Sequence, residues 1–225
     1  MTSFPNRSEA GKALAEELAS NGYHDPVVVA LPRGGVPVGI EIARGLDAPM
    51  DLVMVRKIGV PGQPELAVAA VVNGDDPRIV INESIAAHVG LTRDDIERMA
   101  REQLDEIARR RGIYLRDRKP VPMKGRTVIV ADDGIATGAT MRASLKALQQ
   151  RGPARLVLAV PVAAPDTLAE LREEVDEVVC LLTPQPFFGV GAHYADFDQT
   201  TDDEVIRLMD EARELGQRRE GHGPQ

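Results

Sequence analysis

The sequence predicts an α/β fold, in which a mainly parallel sheet is flanked by helices. Short aliphatic stretches alternate with amphipathic stretches along the chain, which is the pattern of repeated strand–helix–strand units. Trp is absent and aromatic residues make up only 3% of the chain, so the core must consist of aliphatic residues, which suit buried parallel strands. With 225 residues, no internal repeat and no dividing linker, the chain is expected to form one domain, residues 1–225.

The predicted elements follow from hydrophobic periodicity and from punctuation by Gly and Pro. The predicted strands are Val27–Leu31, Leu52–Arg56, Leu66–Val72, Arg78–Ile81, Val128–Ala131, Arg155–Val162 and Val178–Leu182. The predicted helices are Ser8–Ser20, Val38–Arg44, Asn82–Arg111 with a break near Gly90, Met141–Gln150, Asp166–Glu174 and Thr201–Leu215. Ser8 and Thr92 are the expected N-caps. The turn Asn73–Pro77 is expected to close a hairpin, and residues Gly216–Gln225 to form a loose tail.

The composition of the chain indicates its cellular compartment and argues against two classes of partner. The formal net charge of −8 weighs against a protein that wraps duplex nucleic acid, so no nucleic-acid partner is predicted. The lone cysteine, Cys180, cannot form an internal disulfide, so a reducing, cytoplasmic compartment is expected. No stretch approaches the roughly 18 apolar residues of a membrane span, and Met1–Arg7 lacks the pattern of a signal peptide. No membrane partner is therefore predicted.

The strongest functional signal is the segment Val128–Thr140, with the sequence VIVADDGIATGAT. An aliphatic strand ends in Asp132–Asp133, and a loop of small and hydroxylated residues leads into the next helix. Small residues let backbone N–H groups approach an anion closely, Thr137 and Thr140 add hydroxyl donors, and the helix start adds partial positive charge. The second half of the segment, Ala136–Thr140, is therefore typical of a site for a phosphate monoester.

The acidic pair needs a different contact, because carboxylates repel a phosphate. Sugar hydroxyls are natural hydrogen-bond donors to Asp132 and Asp133, and ribose carries two hydroxyls close to its 5′-phosphate. One phosphorylated ribose would therefore satisfy both halves of the segment. In the alternative interpretation, the pair only caps the turn that follows the strand.

The most unusual loops each follow a predicted strand, and they are Pro32–Val36, Arg56–Glu65 and Asp132–Thr140. Ligands of open α/β sheets bind at the carboxyl ends of the strands. The three loops are therefore expected to meet at one edge of the sheet and to form a pocket there.

The segment from residue 128 to residue 140 resembles the phosphoribosyl-pyrophosphate signature of the type I phosphoribosyltransferases, which has an aliphatic strand, two acidic residues and a short loop ending in Thr-Gly-x-Thr. The matching residues are Asp132, Asp133, Thr137, Gly138 and Thr140. Ala131 precedes the pair and Ala139 stands where a second Gly is frequent, and neither departure should close the phosphate loop. The resemblance covers about Val27–Phe197 and implies the family's fold, with a helical insertion at about 82–118 and a hood at about 183–199.

Two further segments resemble the family's pyrophosphate site. The sequence LPRGG after the first strand looks like the pyrophosphate loop, which would place against a diphosphate the residues Arg33, Gly34 and Gly35. Arg56 and Lys57 resemble a basic pair that contacts pyrophosphate in several members. The alternatives are a strand–helix turn with an exposed Arg33 and, for the basic pair, ordinary surface charge.

The resemblance also implies a function for the segment that precedes the signature. Leu66–Arg118 occupies the place of a mobile loop that closes over the ligand in the family, yet here it is long and largely helical. Closure is therefore expected to work differently from that in members with a short loop. Glu65 and His88 are candidate site residues in this region, with a structural or solvated role as the alternative.

The region after the last predicted strand resembles the hood of purine-salvage members, in which an aromatic ring stacks on the base. Phe187 or Phe188 would supply that ring. A small satellite core that anchors the loop is the equal alternative. His193 is expected to pack or to lie on the surface and not to catalyse.

The resemblance implies a transferase that moves the phosphoribosyl group from phosphoribosyl pyrophosphate to an acceptor nitrogen, such as that of a purine-type base. Asp132 and Asp133 would hold the ribose hydroxyls, while Arg33, Arg56 and Lys57 would hold the departing diphosphate. Mg²⁺ is the implied cofactor, bound mostly through substrate oxygens with Asp132 and Asp133 as candidate ligands. Alternatives are a regulatory protein that senses phosphoribosyl pyrophosphate or nucleotides, and a phosphosugar hydrolase. A homo-oligomer is left open.

Overall fold

The computed structural model describes residues 3–72, 78–116 and 118–220. The strands are β1 (Pro26–Ala30), β2 (Met50–Leu52), β3 (Val55–Val60), β4 (Gln63–Val72), β5 (Arg78–Ile81), β6 (Thr127–Ala131), β7 (Arg155–Val162) and β8 (Glu177–Leu182). The α-helices are α1 (Arg7–Ala19), α2 (Gly35–Gly45), α3 (Glu83–Val89), α4 (Arg93–Leu115), α5 (Ala139–Gln149), α6 (Pro165–Leu171) and α7 (Asp202–Glu220). Short 3₁₀ helices are formed by Arg172–Glu174 and Val190–His193.

Five strands form a parallel sheet in the order β2-β1-β6-β7-β8, which confirms the predicted α/β fold. The strands β1 and β6 are aliphatic and fully buried, as expected of strands that are covered on both faces. They pair in register, with Ala30 opposite Ala131. Because both strands end at the same level, the loops that follow them, Pro32–Val36 and Asp132–Thr140, lie side by side at one edge, as predicted.

A second, antiparallel sheet in the order β3-β4-β5 corrects two predictions. The predicted strand Leu52–Arg56 is divided between β2 and β3, which belong to different sheets. Residues Gly59–Pro64, in the middle of the predicted loop Arg56–Glu65, instead continue β3 into β4 through a tight turn, in which Gly62 takes a φ of +81° and Val60 pairs with Gln63. The predicted loop Arg56–Glu65 is therefore a hairpin, and it does not follow a strand of the parallel sheet.

The helical insertion has the predicted break. Gly90 ends α3 in the left-handed conformation, with a φ of +72°, and Thr92 begins α4 with a capping box shared with Asp95. The predicted hairpin of β4 and β5 is also present, and its turn, Asn73–Pro77, lies outside the described residues. The helix α4 continues beyond the predicted end because its last two residues, Tyr114 and Leu115, are buried in the core.

Some helix ends differ from their predicted positions. The N-cap of α1 is Asn6 and not Ser8, because Asn6 Oδ1 accepts the backbone N–H of Glu9 at 2.9 Å. The closing helix α7 runs through Glu220, so residues 216–220 are helical and not loose. The remaining tail residues, 221–225, lie outside the described part of the chain.

The core has two layers, one on each face of the parallel sheet, and it is almost wholly aliphatic. Alternate residues of β1 and β6 face opposite layers, so that Val28 and Ile129 pack with α1, α2 and α7, while Val29 and Val130 pack with α5 and α6. Cys180 is half-buried, and burial raises the pKa of its thiol to about 11, which fits a small packing residue. Within the described residues, no helix combines the length and the apolar character that crossing a membrane requires.

Close packing of α1 on α2 depends on Gly11, and a matched glycine provides the control. A Cβ at Gly11 would lie 2.7 Å from the backbone oxygen of Val38, whereas one at the exposed Gly112 would contact nothing. We expect Gly11→Ala to lower the free energy of unfolding by about 1–3 kcal/mol through overpacking. Gly112→Ala should raise it by about 0.5–1 kcal/mol through helix propensity. Urea unfolding measures both, and equal effects of the two changes would contradict the packing argument.

Candidate functional site

The loop after β6 is fixed in place through its carbonyl groups. Ile135 N–H donates to the backbone oxygen of Val162 at 2.9 Å, and the carbonyl of Ile135 accepts the N–H of Ala164 at 2.9 Å. The hydroxyl of Thr167 donates to the carbonyl of Ala136 at 2.7 Å. The loop is therefore held from the side of β7 and α6 through contacts that leave the N–H groups of residues 136–138 unused.

Gly138 connects this loop to α5 in a conformation that other residues rarely adopt. Its φ is +71°, and a Cβ at this position would lie 2.5 Å from Cγ2 of Thr167. The N–H groups of the first helical turn, which have no partners within a helix, follow directly. Ala136, Thr137 and Ala139 are exposed beside them, and Thr140 is half-buried. This arrangement can accept an anion such as a phosphate monoester.

The two carboxylates at the end of β6 have different surroundings. Asp132 Oδ1 accepts the backbone N–H of Asp133 at 2.9 Å. Burial, followed by repulsion from the neighbouring Asp133 carboxylate, raises the pKa of Asp132 well above its ordinary value, although part of this side chain reaches the surface. Asp133 instead forms an ion pair, because its Oδ2 accepts from Arg7 Nε at 2.8 Å.

Arg7 joins the N-terminal segment to this site, and the sequence analysis missed it. Its Nη1 donates to the backbone oxygen of Asp198 at 2.7 Å, and its guanidinium lies 3.9 Å from the centre of the Phe197 ring. The hydroxyl of Tyr194, which burial keeps protonated by raising its pKa, donates to the carbonyl of Asp133 at 2.6 Å. No local pattern predicts a contact between residues that are 126 positions apart.

The loop after β1 lies directly against the acidic pair. The peptide bond between Pro32 and Arg33 is cis. A Cβ at Gly34 would overlap the Asp133 carboxylate, and one at Gly35 would lie 2.8 Å from the backbone oxygen of Ala131. Only glycine therefore permits this approach, and the predicted diphosphate loop and the predicted ribose-binding acids form one continuous surface.

The three predicted basic residues are distributed on two sides of that surface. Arg33 Nη1 lies 3.5 Å from Asp202 Oδ1 at the start of α7. Arg56 lies within β3 and faces α4, where its Nη2 is 3.2 Å from Glu106 Oε1. Lys57, the next residue, points to the other face of the hairpin. There it lines a cavity of about 440 Å³ together with Ala139, the first residue of α5.

The hood aromatics divide into a packed and an exposed member. Phe187 is half-buried and stacks on His193, with ring centres 6.1 Å apart. Phe188 is 81% exposed. The buried Phe4 of the N-terminal segment packs in the same cluster and donates its N–H to the carbonyl of His193 at 2.8 Å. The hood is therefore anchored by a small core, and Phe188 is its available ring.

The remaining candidates lie in the hairpin and the insertion. Glu65 belongs to β4, and its side chain lies outside the described part of the structure. His88 is exposed on the last turn of α3. Over residues 3–72, 78–116 and 118–220, no group of three or more His, Cys, Asp or Glu side chains is placed to hold a metal ion.

These features define an α/β protein whose sheet edge combines an anion-accepting loop with paired carboxylates and a close-packed glycine loop. The sequence profile of the phosphoribosyl transferase domain matches residues 2–196. The chain therefore belongs to the phosphoribosyl transferase domain family, which confirms the resemblance found in its sequence.

Two curated relatives from Mycobacterium tuberculosis strains, provisionally named phosphoribosyl transferases, are each 44% identical to this chain over 212 residues. The alignment covers 94% of this chain and 47% of each relative, so the chain spans about half the length of the curated relatives it matches.

Two solved structures are similar to the whole chain. A crystal structure of a Thermus thermophilus protein is 44% identical, with a TM-score of 0.83, and the match covers 93% of this chain and 98% of that one. A Neisseria gonorrhoeae protein crystallised with bound ppGpp is 19% identical, with a TM-score of 0.51 and coverage of 92% and 93%. At that identity the second likeness shows the fold alone.

Gly138→Ala tests the loop after β6, with Gly152→Ala as its matched control. Both glycines have a positive φ, of +71° and +67°, so each change should cost about 1–2 kcal/mol of stability. Only the new methyl at position 138 collides with Thr167. We expect Gly138→Ala to weaken binding of a nucleoside 5′-monophosphate by at least about tenfold, and Gly152→Ala to leave it nearly unchanged. Isothermal titration calorimetry measures both, and equal affinities would refute the assignment of the loop.

Asp132→Asn tests the raised pKa of Asp132. A raised pKa in the folded state means that the protonated acid stabilises the fold at low pH, and that this stability is lost as the pH rises through the raised value. The neutral Asn should therefore raise the free energy of unfolding at neutral pH, by on the order of 1 kcal/mol, and the gain should vanish toward pH 3.8, the ordinary value.

Asp133→Asn is the contrasting variant for this measurement. It removes the carboxylate partner of Arg7, so it should lower stability at neutral pH. Urea unfolding of both variants across the pH range measures these two changes in the free energy of unfolding. A destabilising Asp132→Asn at neutral pH would contradict the proposed burial penalty.

Proposed function

We propose that this chain is a phosphoribosyltransferase, which moves the phosphoribosyl group from phosphoribosyl pyrophosphate to an acceptor nitrogen and releases pyrophosphate. Family membership supports the class of reaction. The observation that carries the proposal is the contact of Gly34 with the Asp133 carboxylate. This contact supports the proposal, because it brings the loop after β1, the two acids and the loop after β6 to one edge of the sheet, in the order in which the donor would present its diphosphate, ribose and 5′-phosphate.

Each part of the donor has a complementary part of the site. The N–H groups of Ala136–Thr140 bind the 5′-phosphate, in a loop where Ala136, Thr137 and Ala139 are exposed. Asp132 and Asp133 accept hydrogen bonds from the ribose hydroxyls, and Arg33 with the glycine loop binds the diphosphate. Pyrophosphate then leaves from C1′ while the acceptor approaches from the other side, through a transition state with oxocarbenium-like charge. Catalysis depends on holding the ribose and stabilising the leaving group more than on one strong base.

Mg²⁺ is proposed as the cofactor, carried mainly by the diphosphate oxygens. The donor set of the chain fits this role, because Asp133 is already paired with Arg7 and Asp132 is partly buried with a raised pKa. These two acids would contact the ion through the substrate, and the ion would supply charge neutralisation to the diphosphate.

The acceptor site is proposed to be the hood, where Phe188 presents its ring to solvent. A ring in this position can stack on a planar base, which supports a purine-type acceptor. The reaction is assigned to the cytoplasm, with no nucleic-acid or membrane partner.

Incubation with phosphoribosyl pyrophosphate, Mg²⁺ and a panel of purine and pyrimidine bases tests the proposal. We expect pyrophosphate release that depends on one class of base. Binding of the donor without release would instead identify a sensor of phosphoribosyl pyrophosphate or nucleotides. Release without any base would identify a phosphosugar hydrolase.

The variant Lys57→Ala distinguishes binding of the diphosphate from binding of the 5′-phosphate. Lys57 lines the same cavity as Ala139. Its charge is proposed to act on the diphosphate of the donor, which a nucleoside monophosphate lacks. We expect kcat/KM for the donor to fall by about 10–100-fold, with monophosphate affinity within about twofold. Lys124→Ala is the control, because Lys124 is an exposed lysine in the turn before β6. Equal losses in the two variants would place Lys57 among ordinary surface charges.

A further inference from the structure

A charged cluster lies where the helical insertion meets the loop after β1. Its members, four arginines and two carboxylates, are Arg33, Arg56, Arg109, Arg110, Glu106 and Asp202. They come from four separate parts of the chain, namely the loop after β1, the hairpin strand β3, the helix α4 and the start of α7. Four guanidiniums against two carboxylates leave the cluster with an excess of two positive charges.

Glu106 is the centre of this cluster, because one carboxylate accepts hydrogen bonds from three guanidiniums. Its Oε1 lies 3.2 Å from Arg56 Nη2, 2.7 Å from Arg110 Nε and 3.0 Å from Arg109 Nη2, while its Oε2 lies 2.8 Å from Arg109 Nε. The hydrogen bonds from Arg109 and Arg110 lower the pKa of Glu106 to about 2. The carboxylate is therefore charged at every pH at which the protein would work.

Two of the three arginines, Arg56 and Arg110, line a common cavity. This cavity of about 50 Å³ lies between α4 and the loop after β1, and Pro32, Arg56, Arg110 and Tyr114 line it. On its far side the hydroxyl of Tyr114 donates to Asp202 Oδ1 at 2.5 Å, and this oxygen also lies 3.5 Å from Arg33 Nη1. Arg56 and Arg110 therefore lie beside Pro32, the residue that precedes Arg33 in the loop after β1.

We propose that Arg110, a residue of the helical insertion, is a further diphosphate-binding residue, and that Glu106 holds Arg110 and Arg56 in position until a phosphoryl oxygen replaces its carboxylate. This inference rests on the proposed function, since it assigns a ligand to the diphosphate end of that site.

The chemistry of the cluster favours an anion with several charges. The Glu106 carboxylate shares two oxygens among three guanidiniums, whereas a diphosphate offers more oxygens and more negative charge to Arg56 and Arg110. Guanidinium groups bind phosphate through paired, charge-assisted hydrogen bonds, which are stronger than those to neutral acceptors. An entering diphosphate therefore balances the surplus charge that Glu106 and Asp202 leave.

Arg109 provides a matched control for Arg110. Both are arginines on α4 and both bind Glu106, but Arg109 is 60% exposed and does not line the cavity, whereas Arg110 is 42% exposed and does. Calorimetric titration of the full chain with inorganic pyrophosphate and Mg²⁺ should show affinity lowered by about tenfold or more in Arg110→Ala. Arg109→Ala should stay within about threefold of the original protein. Arg110→Lys, which keeps the charge but loses the paired donors, should fall between them.

Glu106→Gln distinguishes a displaceable carboxylate from a merely structural one. The change keeps the shape of the side chain and removes the charge that competes with the anion, so pyrophosphate affinity should rise by about threefold or more. A structural role predicts unchanged or weaker binding together with a lower Tm. Thermal denaturation of each variant identifies any loss of folding.

The outcomes separate this inference from the proposed function. Binding of pyrophosphate and phosphoribosyl pyrophosphate by the original protein, with equal effects of Arg109→Ala and Arg110→Ala, overturns the role of Arg110 alone. Unchanged or weaker binding in a well-folded Glu106→Gln overturns the role of Glu106. Failure of the original protein to bind either compound overturns the proposed function and this inference with it.

Discussion

The close approach of the loop after β1 to the end of β6 is the constraint on which the site depends. Gly34 and Gly35 have no side chains, and a methyl group at either position would collide with Asp133 or with the backbone of Ala131. The register of the two parallel strands, with Ala30 opposite Ala131, sets the level at which they meet. A packing requirement within the sheet therefore determines the distance between the loop after β1 and the two acids.

The end of β6 carries two adjacent carboxylates in a partly buried place, and the protein reduces their mutual repulsion in two ways. Asp132 has a raised pKa, because burial and its neighbour both disfavour its charged form. Asp133 forms an ion pair with Arg7, which belongs to the N-terminal segment and also packs on the ring of Phe197. Through Arg7, the carboxylate at the end of β6 therefore holds residues Phe197 and Asp198 of the hood in place.

The sequence allowed prediction of those parts of the site that are contiguous in the chain. The run from Val128 to Thr140 carries its strand, acids and loop in thirteen consecutive residues, and the structure has the same order. Arg7 was missed, because its contact with Asp133 spans 126 positions and leaves no periodic pattern. The hairpin of β3 and β4 was missed for another reason: glycine and proline at its turn were interpreted as a loop, although a positive φ at Gly62 lets two strands meet there.

The position of Arg56 shows how a strand predicted as a loop changes the expected contacts of its side chains. In a loop at the sheet edge, Arg56 and Lys57 would both point to the same diphosphate. In a strand, successive side chains face opposite ways, so the two residues serve different faces of the hairpin. Arg56 joins Glu106 of α4, and Lys57 faces α5. The face of β3 that carries Arg56 packs on α4, so Glu106 of this helix bridges Arg56 and Arg110. A helix of the insertion therefore determines the surroundings of Arg56.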